Sequence, residues 1–459
     1  MYVEDTIVAP ATPPGNGAVA IIRLSGPDAM RILRAMWKPL REIEMVARRL
    51  TLGDIIDAEN GVQLDRAMAV IFPKPRSLTG EDVIELQCHG GSYLVRRIVG
   101  LAMRLGARLA EPGEFSRRAF LNGRIDLTEA EAIADLIEAR SEGALAQAME
   151  QLTGVLAEKM RTLRGELIAI RAHLEAEIDF SDENIAIPSR SKIASSIELV
   201  RNDVAVLHDS YARGRVVREG VRVAIVGKPN VGKSSILNLL LGTDRAIVTP
   251  IPGTTRDVIE DVILAGPFSL VLQDTAGIRD SIDEVERLGI ERSCDSLRRA
   301  DLVLAAFDGS EVLNKDDVAI SHHLKSRPGL ALINKSDLPS VTQPADLRRI
   351  GIEMPMLPFS ALRTEGVEAL KAELRRALES LGARGKGEEI AISRERHRDA
   401  LARALELLAA AKQSALMDMP PEIIAVDVAA AADALGLITG AVHTEDVLDA
   451  VFREFCIGK

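Results

Sequence analysis

Residues 227–234 are Gly227-Lys228-Pro229-Asn230-Val231-Gly232-Lys233-Ser234, a complete G-x-x-x-x-G-K-[ST] phosphate-binding loop. This feature constrains the fold more than any other, because such a loop works between a strand and the first turn of a helix. Glycines at both ends let the backbone wrap closely enough for its N–H groups to surround phosphate oxygens. Lys233 then reaches the β/γ-phosphates, and the Ser234 hydroxyl suits Mg²⁺. The flanks agree. Val221-Arg-Val-Ala-Ile-Val226 has the character of a buried strand, and the apolar run 235–241 that of a helix whose positive end faces the phosphates.

From Val221 to about Leu381, strand, loop and helix alternate, as expected of a doubly wound parallel sheet. Three further segments follow in the order that a guanine-nucleotide switch requires. Thr254-Thr255-Arg256-Asp257 lies in a Gly/Pro-bounded loop, where a threonine hydroxyl completes Mg²⁺ coordination; Thr255 is the candidate, beside Ser234. Asp274-Thr275-Ala276-Gly277 follows an apolar run; its carboxylate can hold Mg²⁺ through water, and Gly277 can offer its N–H to the γ-phosphate. Asn334-Lys335-Ser336-Asp337 follows Leu330-Ala-Leu-Ile333. The Asp337 carboxylate can accept both hydrogen bonds from guanine N1–H and N2–H₂, a donor pair that adenine lacks. Ser360, Ala361 and Leu362 can present backbone N–H groups to the guanine oxygen. The candidate GTP contacts are therefore Asn230, Val231, Gly232, Lys233, Ser234 and Ser235; Thr249, Pro250, Ile251, Pro252, Gly253, Thr254 and Thr255; Asp274, Thr275, Ala276 and Gly277; Asn334 to Asp337; and Ser360 to Leu362.

One position departs from the Ras-like pattern. After Gly277 those GTPases carry a glutamine that orients the attacking water, whereas this chain has Ile278, which neither donates nor accepts a hydrogen bond. Hydrolysis then needs another group on the water and another positive charge at the transition state. Asn230, with its amide oxygen beside the phosphates, is a candidate cation ligand, and Glu286 a candidate for orienting water; a solvated helix carboxylate is the competing reading of Glu286. With Lys233, these are the candidate catalytic residues.

At 459 residues the chain is too long for one ordinary core. Its formal net charge of −11 and its 3% aromatic content argue against nucleic-acid binding through bulk charge or an extended stacking surface. Cys88, Cys294 and Cys456 lack CxxC spacing, which indicates neither a disulfide framework nor a zinc site. The first five residues show no secretory signal and no apolar run is long enough to span a bilayer, so a cytoplasmic protein is expected.

Residues 1–122 mix strand candidates (19–24, 67–72 and 83–88) with a helical stretch from Tyr93 to Leu105, which predicts an α+β domain. Ala/Leu/Glu-rich helical periodicity begins at Thr128-Glu-Ala-Glu131, which has capping-box spacing, and runs to about Ile178, with Gly154 and Gly165 as candidate breaks. Helical sequence resumes up to Arg213, and again from Ser393 to Phe455 with a break at Pro420-Pro421. The expected fold is multidomain: an α+β domain (1–122), the two halves of a discontinuous all-α domain (123–219 and 382–459), and an inserted Ras-like α/β P-loop G domain (220–381).

The full pattern resembles the tRNA modification GTPase family MnmE, also called TrmE. The matching residues include Asp5-Thr-Ile-Val-Ala9, Ala11-Thr-Pro-Pro-Gly15, Gly80-Glu-Asp-Val-Ile-Glu85, Pro112-Gly-Glu-Phe-Ser116, Arg118-Ala-Phe-Leu-Asn122, Ala130-Glu-Ala-Ile-Ala-Asp-Leu-Ile137, Ile251-Pro-Gly-Thr-Thr-Arg-Asp257 and the terminal Phe455-Cys456-Ile457-Gly458-Lys459. The resemblance implies an N-terminal folate-binding and dimerising domain and a homodimer. It implies K⁺ held by Asn230, Thr249, Ile251 and Thr254, so that G domains of two subunits dimerise on GTP, and Glu286 at the water-orienting position. It further implies a tetrahydrofolate derivative (5,10-methylene or 5-formyl) bound by Arg23, Glu85, Arg124 and Lys459. The implied partner is the FAD- and NADH-dependent MnmG, in a heterotetramer that modifies C5 of the tRNA wobble uridine. Lysine is found in the family where this chain has Arg124. Cys456 admits two readings: a reactive nucleophile, or a small residue in a terminal loop that closes over the folate.

Two other classes of role compete. A ribosome-assembly switch would use GTP to regulate RNA attachment without carbon transfer. A stand-alone folate-dependent methyltransferase would carry a merely regulatory G domain.

Overall fold

Ala20, Ile22 and Leu24 are buried while the residues between them are not, and this period of two gives a strand one face in a core and one outside it. The computed structural model describes residues 5–41, 44–57, 59–179, 188–244, 261–272, 297–363, 366–380 and 390–458. The chain falls into two units: Met1–Ala134 with Gln151–Ile193 and Gln413–Lys459, and Asp135–Glu150 with Ala194–Lys412.

The first unit contains a seven-stranded sheet of β1 (Ile7–Pro10), β2 (Gly17–Ser25), β3 (Trp37–Pro39), β4 (Thr51–Asp57), β5 (Val62–Phe72), β6 (Val83–Gly90) and β7 (Arg108–Leu109), in the order β3-β4-β5-β6-β2-β1-β7. All neighbours are antiparallel except β1 and β7. Helices Ala29–Met36 and Ser92–Arg104 bury Ile32, Leu33, Ile98 and Leu101 in one cluster with Ile22, Leu24, Ile84 and Leu86 from the strands. Arg23 and Glu85, directly paired across β2 and β6, belong to the opposite set of the alternation. The three expected strands and the helix are all present. The additional strands β1, β3 and β7 are short, and β4 carries Gly53 in its interior, which mutes their pattern.

The same unit contains helix Val155–Asp179, in which Leu156, Met160, Leu163, Leu167, Ile170 and Leu174 are buried at alternating spacings of four and three. It packs along helix Pro421–Thr439, whose buried Ile424, Val428, Ala431, Leu435 and Ile438 follow the same rhythm. The all-α region is thus discontinuous in sequence, as expected. Gly154, at φ +80°, stands where helix Glu142–Leu152 gives way to Val155–Asp179, whereas Gly165 lies inside the latter without breaking it. The capping box falls two residues earlier than Thr128 suggested. The Asp126 N–H donates to Glu129 Oε2 (2.8 Å), and Asp126 Oδ1 accepts from the Glu129 N–H (2.9 Å), because Asp126 is the last residue before helix Leu127–Glu138. Beyond Pro421–Thr439, helix Glu445–Arg453 starts at Thr444, whose hydroxyl accepts from the Val447 N–H. Its Phe452 packs against Phe120, Phe455 and Leu127.

The second unit holds the G-domain sheet: β8 (Val221–Val226), β9 (Asp261–Ala265), β10 (Phe268–Leu272), β11 (Leu302–Asp308), β12 (Gly329–Asn334) and β13 (Met356–Pro358), in the order β13-β12-β11-β8-β10-β9. Five strands are parallel, as expected, but β9 runs antiparallel to β10. The reason is covalent: only Gly266 and Pro267 join them, and a two-residue connection cannot make the crossover that a parallel neighbour needs. Helices Lys233–Asp244 and Val367–Ser380 contribute Leu237, Leu240, Leu370 and Leu374 to the core with Val223, Leu304 and Leu332. Among the described residues no helix is long and apolar enough to cross a membrane.

Phe452 is 2% exposed, so Phe452→Ala should cost about 3–5 kcal/mol by transfer and cavity terms. Urea unfolding monitored by limited proteolysis of the 445–453 helix should show the loss; an unchanged midpoint would mean that the aromatic cluster does not anchor this helix.

Candidate functional site

The phosphate loop leaves the carboxyl end of β8 and runs into helix Lys233–Asp244. Its first and last glycines, Gly227 and Gly232, are required by close approach. A Cβ on Gly227 would lie 2.4 Å from the Ala306 carbonyl of β11, and one on Gly232, at φ +96°, would lie 2.3 Å from Asn334 Nδ2. Asn230 is exposed and left-handed (φ +62°), a conformation that asparagine tolerates better than most residues. Its amide is therefore available to a ligand over the loop. Lys233 folds back: Nζ donates to the Gly227 carbonyl (2.8 Å) and the Lys228 carbonyl (2.9 Å). Burial pushes its ammonium below the ordinary lysine value. A partly buried cation held by neutral carbonyls suits a polyphosphate, which supplies the missing counter-charge.

Asn334, 2% exposed, joins the phosphate loop to the base-side loops. Its Nδ2 donates to the Val231 carbonyl (2.6 Å), and its Oδ1 accepts from the Ala361 N–H (3.2 Å). The Ser336 N–H donates to the Phe359 carbonyl (3.1 Å), which aligns 334–337 with 360–362. Ser360 is buried, and its hydroxyl is engaged within the site. It donates to Asp337 Oδ1 (2.6 Å) and accepts from the Arg363 N–H (3.1 Å), so the carboxylate is aimed before any base arrives. That hydrogen bond holds the Asp337 carboxyl below its ordinary range. Leu362 is exposed. Lys335, at φ +63°, places Nζ 2.5 Å from buried Asp308. Burial alone would raise Asp308, but hydrogen bonds from Lys335 and Ser310 outweigh it and hold the carboxyl low. The bridging by Asn334, the aiming by Ser360 and the Asp308 contact were not foreseen; only Asp308, a charge ending an apolar run, carried a signal in the sequence.

Ser234 and Ser235 stand in the first turn of the helix. Thr249, Pro250, Ile251, Pro252, Gly253, Thr254, Thr255, Asp274, Thr275, Ala276, Gly277, Ile278 and Glu286 lie outside the described residues. Of the residues expected to meet Mg²⁺, Ser234 alone is among the described ones, and its hydroxyl is a donor that suits a hard cation beside phosphate oxygens.

A second group of candidates gathers in the first unit. Arg23 Nε and Nη2 lie 2.9 and 2.8 Å from Glu85 Oε1, and the guanidinium sits 5.6 Å from the centre of the Phe115 ring. Arg23 Nη1 donates to the Gly458 carbonyl (3.3 Å), and the Gly113 N–H to the Cys456 carbonyl (3.4 Å), while Ile457 bridges to Pro112. The terminal tail, with Cys456 exposed, is thereby brought to Arg23 and Glu85. The Arg124 side chain packs over Gly80, where a Cβ would be 3.4 Å from its Cγ. Lys459 lies outside the described residues. The Nε and Nη2 contacts of Arg23 both fall on the same Glu85 oxygen, Oε1. Cys88 is of a different kind: burial, then the Asp65 charge, pushes its thiol up to about 11.

A family profile described as MnmE helical domain matches residues 127–456, and one described as GTP-binding protein TrmE N-terminus matches residues 6–124. The tRNA modification GTPase MnmE of Geobacter sulfurreducens is 44% identical, covering 100% of each chain. The protein of the same name from Natranaerobius thermophilus is 40% identical over 99% of this chain and 100% of its own. Among solved structures, the G domain of the T. maritima FeoB iron transporter overlaps 34% of this chain and 98% of its own, with 23% identity and a TM-score of 0.25.

Asn334→Ala strands the Val231 carbonyl and the Ala361 N–H, each at about 1–3 kcal/mol. GDP affinity measured by fluorescence titration should fall at least about tenfold. An unchanged affinity in the folded variant would remove Asn334 as the link between the two loops.

Proposed function

The chain belongs to the MnmE family of tRNA modification GTPases, and from that membership we propose that it couples GTP hydrolysis to modification of the tRNA wobble uridine. The observation that carries this reading is the full-length match, which spans the phosphate loop, the helical halves and the terminal tail together. As a family member it is a GTP hydrolase. The rest is our assignment. Residues 1–122 form the folate-binding and dimerising domain, 123–219 and 382–459 the helical domain, and 220–381 the G domain.

In this reading Lys233 steadies the β/γ-phosphates, and Asp337, aimed by Ser360, selects guanine. Ser234 and Thr255 hold Mg²⁺. Asn230, Thr249, Ile251 and Thr254 hold K⁺ where G domains of two subunits meet, and the bound cation supplies the charge that an arginine finger supplies elsewhere. Glu286 orients the water, a task that Ile278 cannot perform. The exposed, left-handed Asn230 supports its part in this scheme.

Arg23, Glu85, Arg124 and Lys459 bind the tetrahydrofolate derivative that donates one carbon to uridine C5. Glu85 Oε2 receives the pterin donors, the arginines suit the glutamate tail, and the terminal tail with Cys456 lies against the donor. The partner is FAD- and NADH-dependent MnmG, in a cytoplasmic heterotetramer built on a homodimer. The product carries an aminomethyl or carboxymethylaminomethyl group, with ammonium or glycine as amine source.

Reconstitution with tRNA, the folate donor, NADH and the flavin partner, followed by nucleoside analysis, tests the whole. Modified uridine should appear only with every component present. Product without the flavin partner would instead indicate a stand-alone methyltransferase, and GTP hydrolysis with no product under any condition a different kind of switch. The GTPase rate should also be at least about tenfold higher in K⁺ than in Na⁺, because the cation replaces a transition-state charge. Equal rates would remove the role given to Asn230.

A further inference from the structure

We propose that Lys228 and Asp317 form a tether that sets the conformation of the phosphate loop, as a positioning pair for nucleotide binding rather than as nucleotide ligands. The proposal rests on the reading of residues 227–234 as the phosphate loop and assigns work to a variable position within it. Lys228 is 7% exposed, although it is the second residue of a loop otherwise open at Pro229 and Asn230. Its Nζ lies 3.2 Å from Asp317 Oδ2 and 3.2 Å from Glu311 Oε2. Glu311 is largely exposed and Asp317 is 1% exposed, so the Asp317 contact is the one made out of water.

Asp317 is itself rigidly placed. It is the third residue of helix Lys315–Leu324, and its Oδ2 also accepts from the Asn314 N–H (2.9 Å). The Asn314 side chain accepts in return from the Asp316 and Asp317 N–H groups (2.9 and 3.2 Å), which closes a capping box just beyond β11. Capping alone does not account for the burial. A capping carboxylate at a surface leaves its second oxygen in water, whereas Asp317 Oδ1 is buried without a hydrogen-bond partner. Such a group, desolvated on one side and paired with a lysine on the other, suits a fixed anchor point for that lysine.

What the anchor fixes follows from the backbone of the same residue. The Lys228 carbonyl is one of the two that hold Lys233 Nζ, at 2.9 Å. Fixing the Lys228 side chain therefore fixes the cradle that aims the phosphate-binding ammonium, and it holds the chain just before left-handed Asn230. Further along the loop, the Val231 carbonyl is pinned by Asn334. The loop is thus secured on both sides of Asn230, and its N–H groups are arranged before phosphate arrives. Burial on its own would lower the Lys228 ammonium, but hydrogen bonding to Asp317 and Glu311 overcomes it and keeps the group charged.

The test uses the full-length protein and a fluorescent GDP analogue, with thermal melting in parallel. Lys228→Met and Asp317→Asn should each weaken GDP binding about tenfold, as expected when one partner of a buried pair is removed. Lys228→Arg should recover most of the affinity. The double variant Lys228→Met with Asp317→Asn removes both charges and keeps an acceptor for the Asn314 N–H, so it should regain thermal stability but not affinity; it also carries the test if a single variant fails to fold. The tether is overturned if affinity stays within about twofold of the parent, or if it returns with melting temperature in the double variant. Lys233→Ala tests the underlying reading separately: normal GDP binding there would refute the phosphate loop itself, whereas its loss beside intact Lys228 variants would refute the tether alone.

Discussion

One buried amide makes the nucleotide site a single object. Asn334 gives its N–H to the phosphate loop and takes an N–H from the loop after β13, so two loops distant in sequence share one fixed point. The contact requires an asparagine, since only an amide offers donor and acceptor on one short planar group. It also requires Gly232, because a side chain there would occupy the place of the amide. The sheet order follows the same logic: β8, β11 and β12 are adjacent, so their carboxyl ends bring loops distant in sequence to one edge.

The legible part of the molecule was the part whose chemistry is written in consecutive residues. The phosphate loop, the tetrapeptide 334–337 and the strands preceding them carry their signals locally. Helices with a long apolar rhythm were legible for the same reason. Gly154 and Gly165 show the limit: both are glycines in helical sequence, yet only the first stands at a break. The capping box beginning at Asp126 rather than Thr128 is a related case, because two overlapping carboxylate spacings were present and geometry chose one. The antiparallel β9 was hidden because its turn contains only Gly266 and Pro267, which read as punctuation rather than as direction. The hydrogen bond from the Ser360 hydroxyl to Asp337 was not legible, because it joins residues twenty-three positions apart in the chain.

The Arg23 and Glu85 group presents a contrasting economy. Its two charges sit opposite each other on neighbouring strands, so the sheet register alone sets their distance. The covering tail reaches them through main-chain contacts at Gly113, Pro112 and Gly458, with little dependence on side-chain identity. Main-chain docking of this kind fixes where the exposed Cys456 lies without burying its thiol.

The pairing of helices Val155–Asp179 and Pro421–Thr439 has a consequence for how the chain assembles. Their shared stripe cannot close during synthesis until the whole nucleotide domain has been made. Loop closure on that scale is entropically costly and slow in an unfolded chain. Helices Arg190–Asp209 and Glu395–Leu416, however, are joined by the Lys412 to Glu198 ion pair, which brings together the two strands of polypeptide that lead into and out of the insertion. A nucleotide domain that folds first, as domains made earlier on the ribosome tend to, would therefore deliver the two halves as near neighbours. Vectorial synthesis turns the interruption from a kinetic burden into a scaffold.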